Sequence, residues 1–327
     1  MANRMNERVS LHPSSSILHS RPVLFLAGAT ATGKSEVALL LAEKLNGEII
    51  SVDSMQVYRG LDIGTAKPNA AERKRVPHHL IDVAGLNETF DAARFVRLAK
   101  AAAKEIHSRG RIAIFCGGTG LYFKAFLDGV GDAPPADAAL RAKLEATPLP
   151  ELLEELQRRD PVTFDKIDRK NPRRVIRALE VIRLTGKPFS EQRANWPNSP
   201  ATVKPQLSTV WALQREPADL HARINERVDR MFQRGLVEEV RNLLPRGLAE
   251  NRTAMQAIGY RQVVDYLRGE RPLPETIELV KLRTRQFAKR QMTWFRRQLP
   301  VKWVKYSANQ SAQDIASNLI RGFADPL

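Results

Sequence analysis

Gly28-Ala29-Thr30-Ala31-Thr32-Gly33-Lys34-Ser35 lies between an apolar run, Val23 to Ala27, and an amphipathic stretch from Glu36 to Leu45. A strand that ends in a glycine-bounded loop and then opens a helix is the geometry a phosphate-binding loop requires. Its glycines let backbone N–H groups close around phosphate oxygens, and the helix N-terminus favours the anion. Lys34 supplies a point charge, and the Ser35 hydroxyl is a ligand for Mg²⁺. All eight residues, Gly28 to Ser35, are therefore expected to bind a diphosphate or a nucleotide.

Outward from this loop, short apolar runs recur at Val23 to Ala27, Glu48 to Val52, Arg111 to Cys116, Ser208 to Leu213 and Val301 to Tyr306, with helical patterns between them. Such alternation predicts a parallel α/β sheet covered on both faces, a P-loop NTPase-like fold. Gly131-Asp132-Ala133-Pro134-Pro135 breaks the alternation, and Asp137 to Gly186 reads as helices without a strand. A helical insertion over 132–200 follows, dividing the core into 22–131 and 201–310. The ends, 1–21 and 311–327, read as a disordered extension and a tail. Within the insertion, Asn171-Pro172 is a helix start and Thr185-Gly186 a stop. Val175, Ala178, Leu179 and Ile182 form one stripe of that helix, while Arg173 and Arg177 share another face.

Carboxyl ends of strands in an open parallel sheet face the ligand crevice. That rule brings Asp53, which ends the second run, and Gly117-Gly118-Thr119-Gly120, which ends the third, to the phosphate loop. A carboxylate there is either a Mg²⁺ ligand, as in a kinase, or a base that takes a proton from an acceptor; an Asx-turn is the structural alternative. Arg223 and Arg227 stand one helical turn apart and could reach a diphosphate, with a solvated basic face as the equal alternative. His78-His79 is a poor metal site, because adjacent side chains on an extended chain point to opposite faces.

Lys and Arg outnumber Asp and Glu by 52 to 36, a net charge of +16 that points to a polyanionic partner, with nucleic acid favoured. Lys281 to Tyr306 holds nine Lys/Arg and no Asp/Glu, interleaved with Phe287, Trp294, Phe295 and Trp303, as an RNA surface with stacking platforms would. The only cysteine, Cys116, excludes an intramolecular disulfide and a multi-Cys zinc site. No apolar run approaches 18 residues and the first 21 residues are polar, so a cytoplasmic protein with no membrane contact is expected.

Six further blocks carry a resemblance. Asp53 to Pro68 (DSMQVYRGLDIGTAKP), Pro77 to Asp82 (PHHLID) and Gly117 to Tyr122 (GGTGLY) are similar to the tRNA dimethylallyltransferases, or tRNA isopentenyltransferases. So are Asn171 to Val181, Gln256 to Tyr260 and Thr284 to Trp294, and the likeness spans about 22–306. The loop has Ser35 where the family commonly has Thr, which keeps the hydroxyl. A zinc-finger extension of some eukaryotic relatives has no counterpart, so a bacterial-type enzyme is the expectation.

This resemblance implies transfer of a dimethylallyl group from dimethylallyl diphosphate to N6 of the adenosine 3′ to the anticodon, position 37, by a monomer acting on the tRNA anticodon stem-loop. Adenine's exocyclic amine is a poor nucleophile, so a base must take its proton, and Asp53 is given that role. Lys34, Thr119, Arg227, the loop amides and Mg²⁺ on Ser35 are expected to stabilise the departing diphosphate. Contacts with tRNA are expected at Asp53, Ser54, Met55 and Gln56; at Arg173, Arg174, Val175, Ile176 and Arg177; at Gln256, Ala257, Ile258, Gly259, Tyr260 and Arg261; and at Lys289, Arg290, Gln291, Met292, Thr293, Trp294, Phe295 and Arg296. Thr119 and Arg141 are expected near the flipped base. The competing readings are an adenylate isopentenyltransferase with free AMP or ATP as acceptor, a small-molecule P-loop kinase, and a non-catalytic RNA-binding protein.

Overall fold

The computed structural model describes residues 23–131, 133–192 and 209–324. The expected disordered extension 1–21 lies outside them, as do Ser208 and residues 193–200 of the expected insertion. The chain divides into two compact units, Asp128–Trp196 and the remainder.

In the larger unit the apolar runs form strands β1 (Val23–Gly28), β2 (Gly47–Val52), β4 (Ile112–Gly117), β5 (Val210–Gln214) and β6 (Val301–Lys305). A two-residue strand, β3 (His78–His79), was not expected and completes one sheet in the order β3-β2-β4-β1-β5-β6. Every pairing is parallel. The central strands β1 and β4 are apolar and buried along nearly their whole length because both sheet faces are covered there, whereas edge strand β6 carries Lys302 and Lys305 and is half-buried or exposed. On one face Leu24, Leu26, Ile114 and Leu213 pack with Val37, Leu41 and Ala42 of helix α1 (Lys34–Lys44). On the other, Phe25 and Phe115 meet ring to ring at 4.9 Å and pack with Phe126.

The 311–327 segment is a correction to the expected tail. Its described part is a helix, Ala312–Ala324, whose Ile315, Ala316 and Leu319 are buried in the α1 side of the core. The ends of the parallel strands gather the chemistry at one edge: the Gly28–Ser35 loop follows β1, Asp53 follows β2, Gly118-Thr119 follows β4, Arg215 follows β5 and Tyr306 follows β6.

The segment from Asp53 to Asp82, which includes the short helix Ala70–Arg75 and β3, is held by pins of opposite charge. The Lys67 side chain is 2% exposed, and its ammonium donates to Tyr58 O at 2.6 Å, Asp62 Oδ1 at 2.8 Å and Asp82 Oδ1 at 2.5 Å. From the opposite side, Glu239 accepts from the amide of Ile63 at 2.8 Å and from the Tyr260 hydroxyl at 2.6 Å. Ala66, Leu80 and Asp82 sit at positive φ, backbone strain that these pins must hold. Lys67→Met is expected to destabilise the fold by about 3 kcal/mol, the lower end for breaking a buried ion pair, because Asp62 and Asp82 are partly hydrated. Urea unfolding with linear extrapolation measures it, and an unchanged midpoint would contradict the pin.

His79 belongs to a structural cluster rather than a metal site. Its Nε2 lies 2.6 Å from Glu48 Oε2, and the same buried carboxylate accepts from Arg109 at 2.8 Å and Arg111 at 2.9 Å. Among the described residues no group of His, Cys, Asp and Glu could hold a metal ion.

The smaller unit is helical: Ala138–Ala146, Leu149–Arg159, Pro161–Lys166, Pro172–Thr185 and Phe189–Gln192. Gly186, at φ 73°, ends the Pro172–Thr185 helix as its αL cap. The core of this unit contains Leu144, Leu152, Leu156, Leu179 and Ile182 together with Val175 and Ile176. Those last two were expected at RNA; their side chains are core instead. Glu180, fully buried, accepts from Arg141 at 2.7 Å and from Arg177 at 2.7 Å. Arg177 also donates to Pro134 O at 2.6 Å. Arg141 and Arg177 therefore share one carboxylate, which leaves a net positive charge at the partly exposed pair, and Arg173 and Arg174 are exposed.

Candidate active site

Gly28-to-Ser35 turns tightly because Gly33 adopts φ 91° and Ala31 φ 62°. A Cβ at Gly33 would stand 2.7 Å from the Tyr306 hydroxyl, so space as well as conformation demands glycine there. No side chain caps the N-terminus of α1. Among the described residues the N–H groups of Ala31, Gly33, Lys34 and Ser35 make no hydrogen bond, which leaves them for an anion. Two expected ligands are corrected at the backbone: the Thr30 amide donates to Gln291 Oε1 at 2.9 Å, and the Thr32 amide and hydroxyl both donate to Ala29 O. Ala29 and Ala31 are buried against Leu220, Ile224, Ala288 and Met292.

Cations surround the loop. Lys34 Nζ donates to Ala29 O at 3.2 Å, Arg223 Nε donates to Ala31 O at 3.1 Å, and Arg215 Nε donates to Thr32 O at 3.2 Å. Arg215 is oriented by Asp219 at 2.6 Å and lies 4.1 Å from the centre of the Tyr306 ring. Burial lowers the pKa of Lys34 from its ordinary value, with Cys116 and Asp53 opposing and the Arg227 charge adding to the shift. Arg227 is likewise pulled down by burial, against the attraction of Asp53. Lys34, Arg227 and Asp53 therefore lie within one another's electrostatic influence, with no direct ion pair between them among the described residues. Burial pushes the Cys116 thiol up to about 11, so it stays protonated and inert beneath the loop.

Asp53 does close an Asx-turn: Oδ1 accepts from the amides of Met55 at 2.8 Å and Gln56 at 3.2 Å. That turn fixes the carboxylate without consuming it, since Oδ2 has no hydrogen-bond partner among the described residues. Thr119 is carried alongside; its amide donates to Val52 O at 3.1 Å and its hydroxyl accepts from the Ser54 amide at 3.1 Å. Gln56, expected at RNA, has its side chain tied to Ser51 at 2.9 Å and to Thr65 O at 3.1 Å.

Each glycine of Gly117-Gly118-Thr119-Gly120 is required by a close approach. A Cβ would lie 2.0 Å from Val52 O at Gly117, 2.3 Å from Gln291 Nε2 at Gly118 and 2.0 Å from the Trp294 ring at Gly120. The last two contacts come from the long basic helix Leu273–Gln298. One side of this helix, with Ala288, Gln291, Met292 and Phe295, is buried; Phe295 meets Phe123 at 6.2 Å. Gln291, Met292 and Phe295 were expected at RNA and are core residues instead. Lys289, Arg290 and Arg296 are exposed, and Lys289 and Arg290 with Thr293, Trp294 and Arg297 line a groove of about 520 Å³. Of the remaining expected contacts, Gln256 and Arg261 are exposed, Ile258 is half-buried, and Ala257, Gly259 and Tyr260 are buried.

A P-loop and a carboxylate at neighbouring strand ends, with a basic groove on the helix Leu273–Gln298, define a P-loop-like α/β protein. The family model described as IPP transferase matches residues 56–298. A tRNA dimethylallyltransferase of Pelotomaculum thermopropionicum is 45% identical over 305 residues, covering 92% of this chain and 96% of its own. One from Geobacillus kaustophilus is 46% identical, covering 86% and 89%. Among solved structures, the full-length tRNA isopentenylpyrophosphate transferase of Bacillus halodurans is 40% identical, with a TM-score of 0.66 and coverage of 92% and 96%. A eukaryotic dimethylallyltransferase, whose crystallographic snapshots show it acting on tRNA, is 29% identical, with a TM-score of 0.76 and coverage of 93% and 80%. The chain belongs to the IPP transferase family. Among the described residues no helix is long and apolar enough to cross a membrane.

Proposed function

We propose that this protein transfers the dimethylallyl group of dimethylallyl diphosphate to N6 of the adenosine 3′ to the anticodon of tRNA. The observation that carries the reading is the Asp53 carboxylate, pinned through one oxygen and open at the other, within the electrostatic influence of Lys34 and Arg227 of the diphosphate cradle. Asp53 Oδ2 takes the N6 proton while the nitrogen bonds to the allylic carbon. The bond from that carbon to the diphosphate oxygen breaks, and its electron pair leaves with the diphosphate. Lys34, Arg227 and the loop amides meet the charge that builds there, donors held in position before the reaction starts. The loop thus holds a leaving group.

The residues fit Mg²⁺ as a companion of the diphosphate. The Ser35 hydroxyl is exposed at the first turn of α1, and no cluster of protein ligands surrounds it among the described residues. Mg²⁺ needs no such cluster, because it keeps waters and takes substrate phosphate oxygens with one or two protein oxygens. Ser35 would hold it, and when bound it would neutralise charge on the diphosphate.

The acceptor lies along the groove of Lys289, Arg290, Trp294 and Arg297, whose charge suits an RNA backbone. Exposed Phe287, with Arg290 5.9 Å from its ring centre, offers a stacking face at the same helix. Arg173 and Arg174 are further phosphate partners. Radiolabelled dimethylallyl diphosphate offered with unmodified tRNA and with AMP in parallel tests the reading. Label is expected in tRNA alone; equal or greater labelling of AMP would make the free nucleotide the acceptor.

A further inference from the structure

Gln291 is a buried side chain that spans the donor loop and the acceptor-side turn. Its Oε1 accepts from the Thr30 amide at 2.9 Å and its Nε2 donates to Gly118 O at 2.9 Å. Both partners are backbone groups with fixed roles, a donor and an acceptor, so the amide has only one orientation that satisfies them. Gly118 leaves room for that nitrogen, since a Cβ there would stand 2.3 Å from it. The Thr30 bond draws one amide of the loop towards Gln291, while those of Ala31, Gly33, Lys34 and Ser35 stay unpaired among the described residues. The Gly118 bond holds the turn that carries Thr119, which in turn supports Ser54 beside Asp53.

We propose that Gln291 is a positioning residue that sets the register between the diphosphate loop and the Asp53–Thr119 side of the site. It thereby selects which loop amides face the diphosphate and how far the leaving group stands from the base. Its side chain is buried, so it acts through the backbone rather than by touching RNA. This rests on the prenyl-transfer reading of the loop.

Two variants separate positioning from packing. Gln291→Met keeps the volume and loses both bonds, leaving Gly118 O buried without a donor. It is expected to raise the KM for dimethylallyl diphosphate and the Kd for Mg²⁺-diphosphate by about tenfold, and to lower kcat, while the KM for tRNA stays within twofold. Gln291→Glu can still accept from Thr30 but sets a carboxylate against the Gly118 carbonyl. When protonated it regains a donor and copies glutamine, and burial raises the pKa at which this happens. Its activity relative to wild type is therefore expected to climb as pH falls from 8 to 6, a recovery that a packing role would not give. Unchanged donor constants in Gln291→Met, or a flat ratio for Gln291→Glu, would overturn the assignment. A loss of activity matched only by a fall in thermal stability would do the same. Wild-type protein that fails to prenylate any acceptor would instead remove the reading of the site on which this inference stands.

Discussion

Asp53→Ala is expected to slow single-turnover prenyl transfer by about 10² to 10⁴, the range for loss of a general base, while binding of dimethylallyl diphosphate and tRNA persists. The separation follows from the geometry. Asp53 contributes one oxygen to a local turn and leaves the other open, and it holds neither the phosphate loop nor the basic groove. Asp53→Asn should keep the Asx-turn through its carbonyl oxygen and still lose the rate, because the amide accepts no proton. Single-turnover rates equal to wild type in either variant would show that Asp53 is not the base.

Lys34→Ala is expected to lower transfer by at least about 10² to 10³, the loss seen when one pre-placed group that stabilises developing charge is removed. Here the effect falls on the diphosphate. Lys34 is half-buried, lies in one field with Arg227 and Asp53, and among the described residues its ammonium makes one hydrogen bond, to Ala29 O, from which it can turn to an arriving anion. Diphosphate affinity should weaken in parallel, unlike in Asp53→Ala. Transfer that survives Lys34→Ala with its rate intact would mean that the diphosphate binds elsewhere.

The strands and the loop were legible because a parallel sheet buried on both faces writes itself as apolar runs, and the rule of strand ends then brought Asp53 and Thr119 to the loop. Arg215 was open to the same rule, since it follows β5 directly as Asp53 follows β2. Gln291 was not. In a run of lysines, arginines and aromatics a glutamine reads as one more RNA contact, and only the packing of its helix face onto Gly118 and Thr30 reveals its partners. Val175, Ile176, Tyr260 and Phe295 were misplaced for a related reason: a motif shared along a helix does not say which of its residues face inward. Arg177 is held by Glu180, three residues on, a carboxylate that it shares with Arg141. Strand β3 is two residues long, too short for alternation to register, and it exists because Ile49 and Ile50 pair with it. The final helix was written in Ile315, Leu319 and Phe323 at helical spacing, diluted by polar neighbours.

The central claim is that this P-loop holds a leaving group and breaks no phosphoanhydride or phosphorus–oxygen bond. Dimethylallyl diphosphate carrying ¹⁸O at the oxygen that bridges carbon and phosphorus tests it in one reaction with unmodified tRNA. Cleavage between carbon and oxygen predicts that the released diphosphate retains all of the label while the RNA gains the prenyl group alone. Label remaining with the five-carbon fragment would show cleavage between phosphorus and oxygen, and would contradict the account.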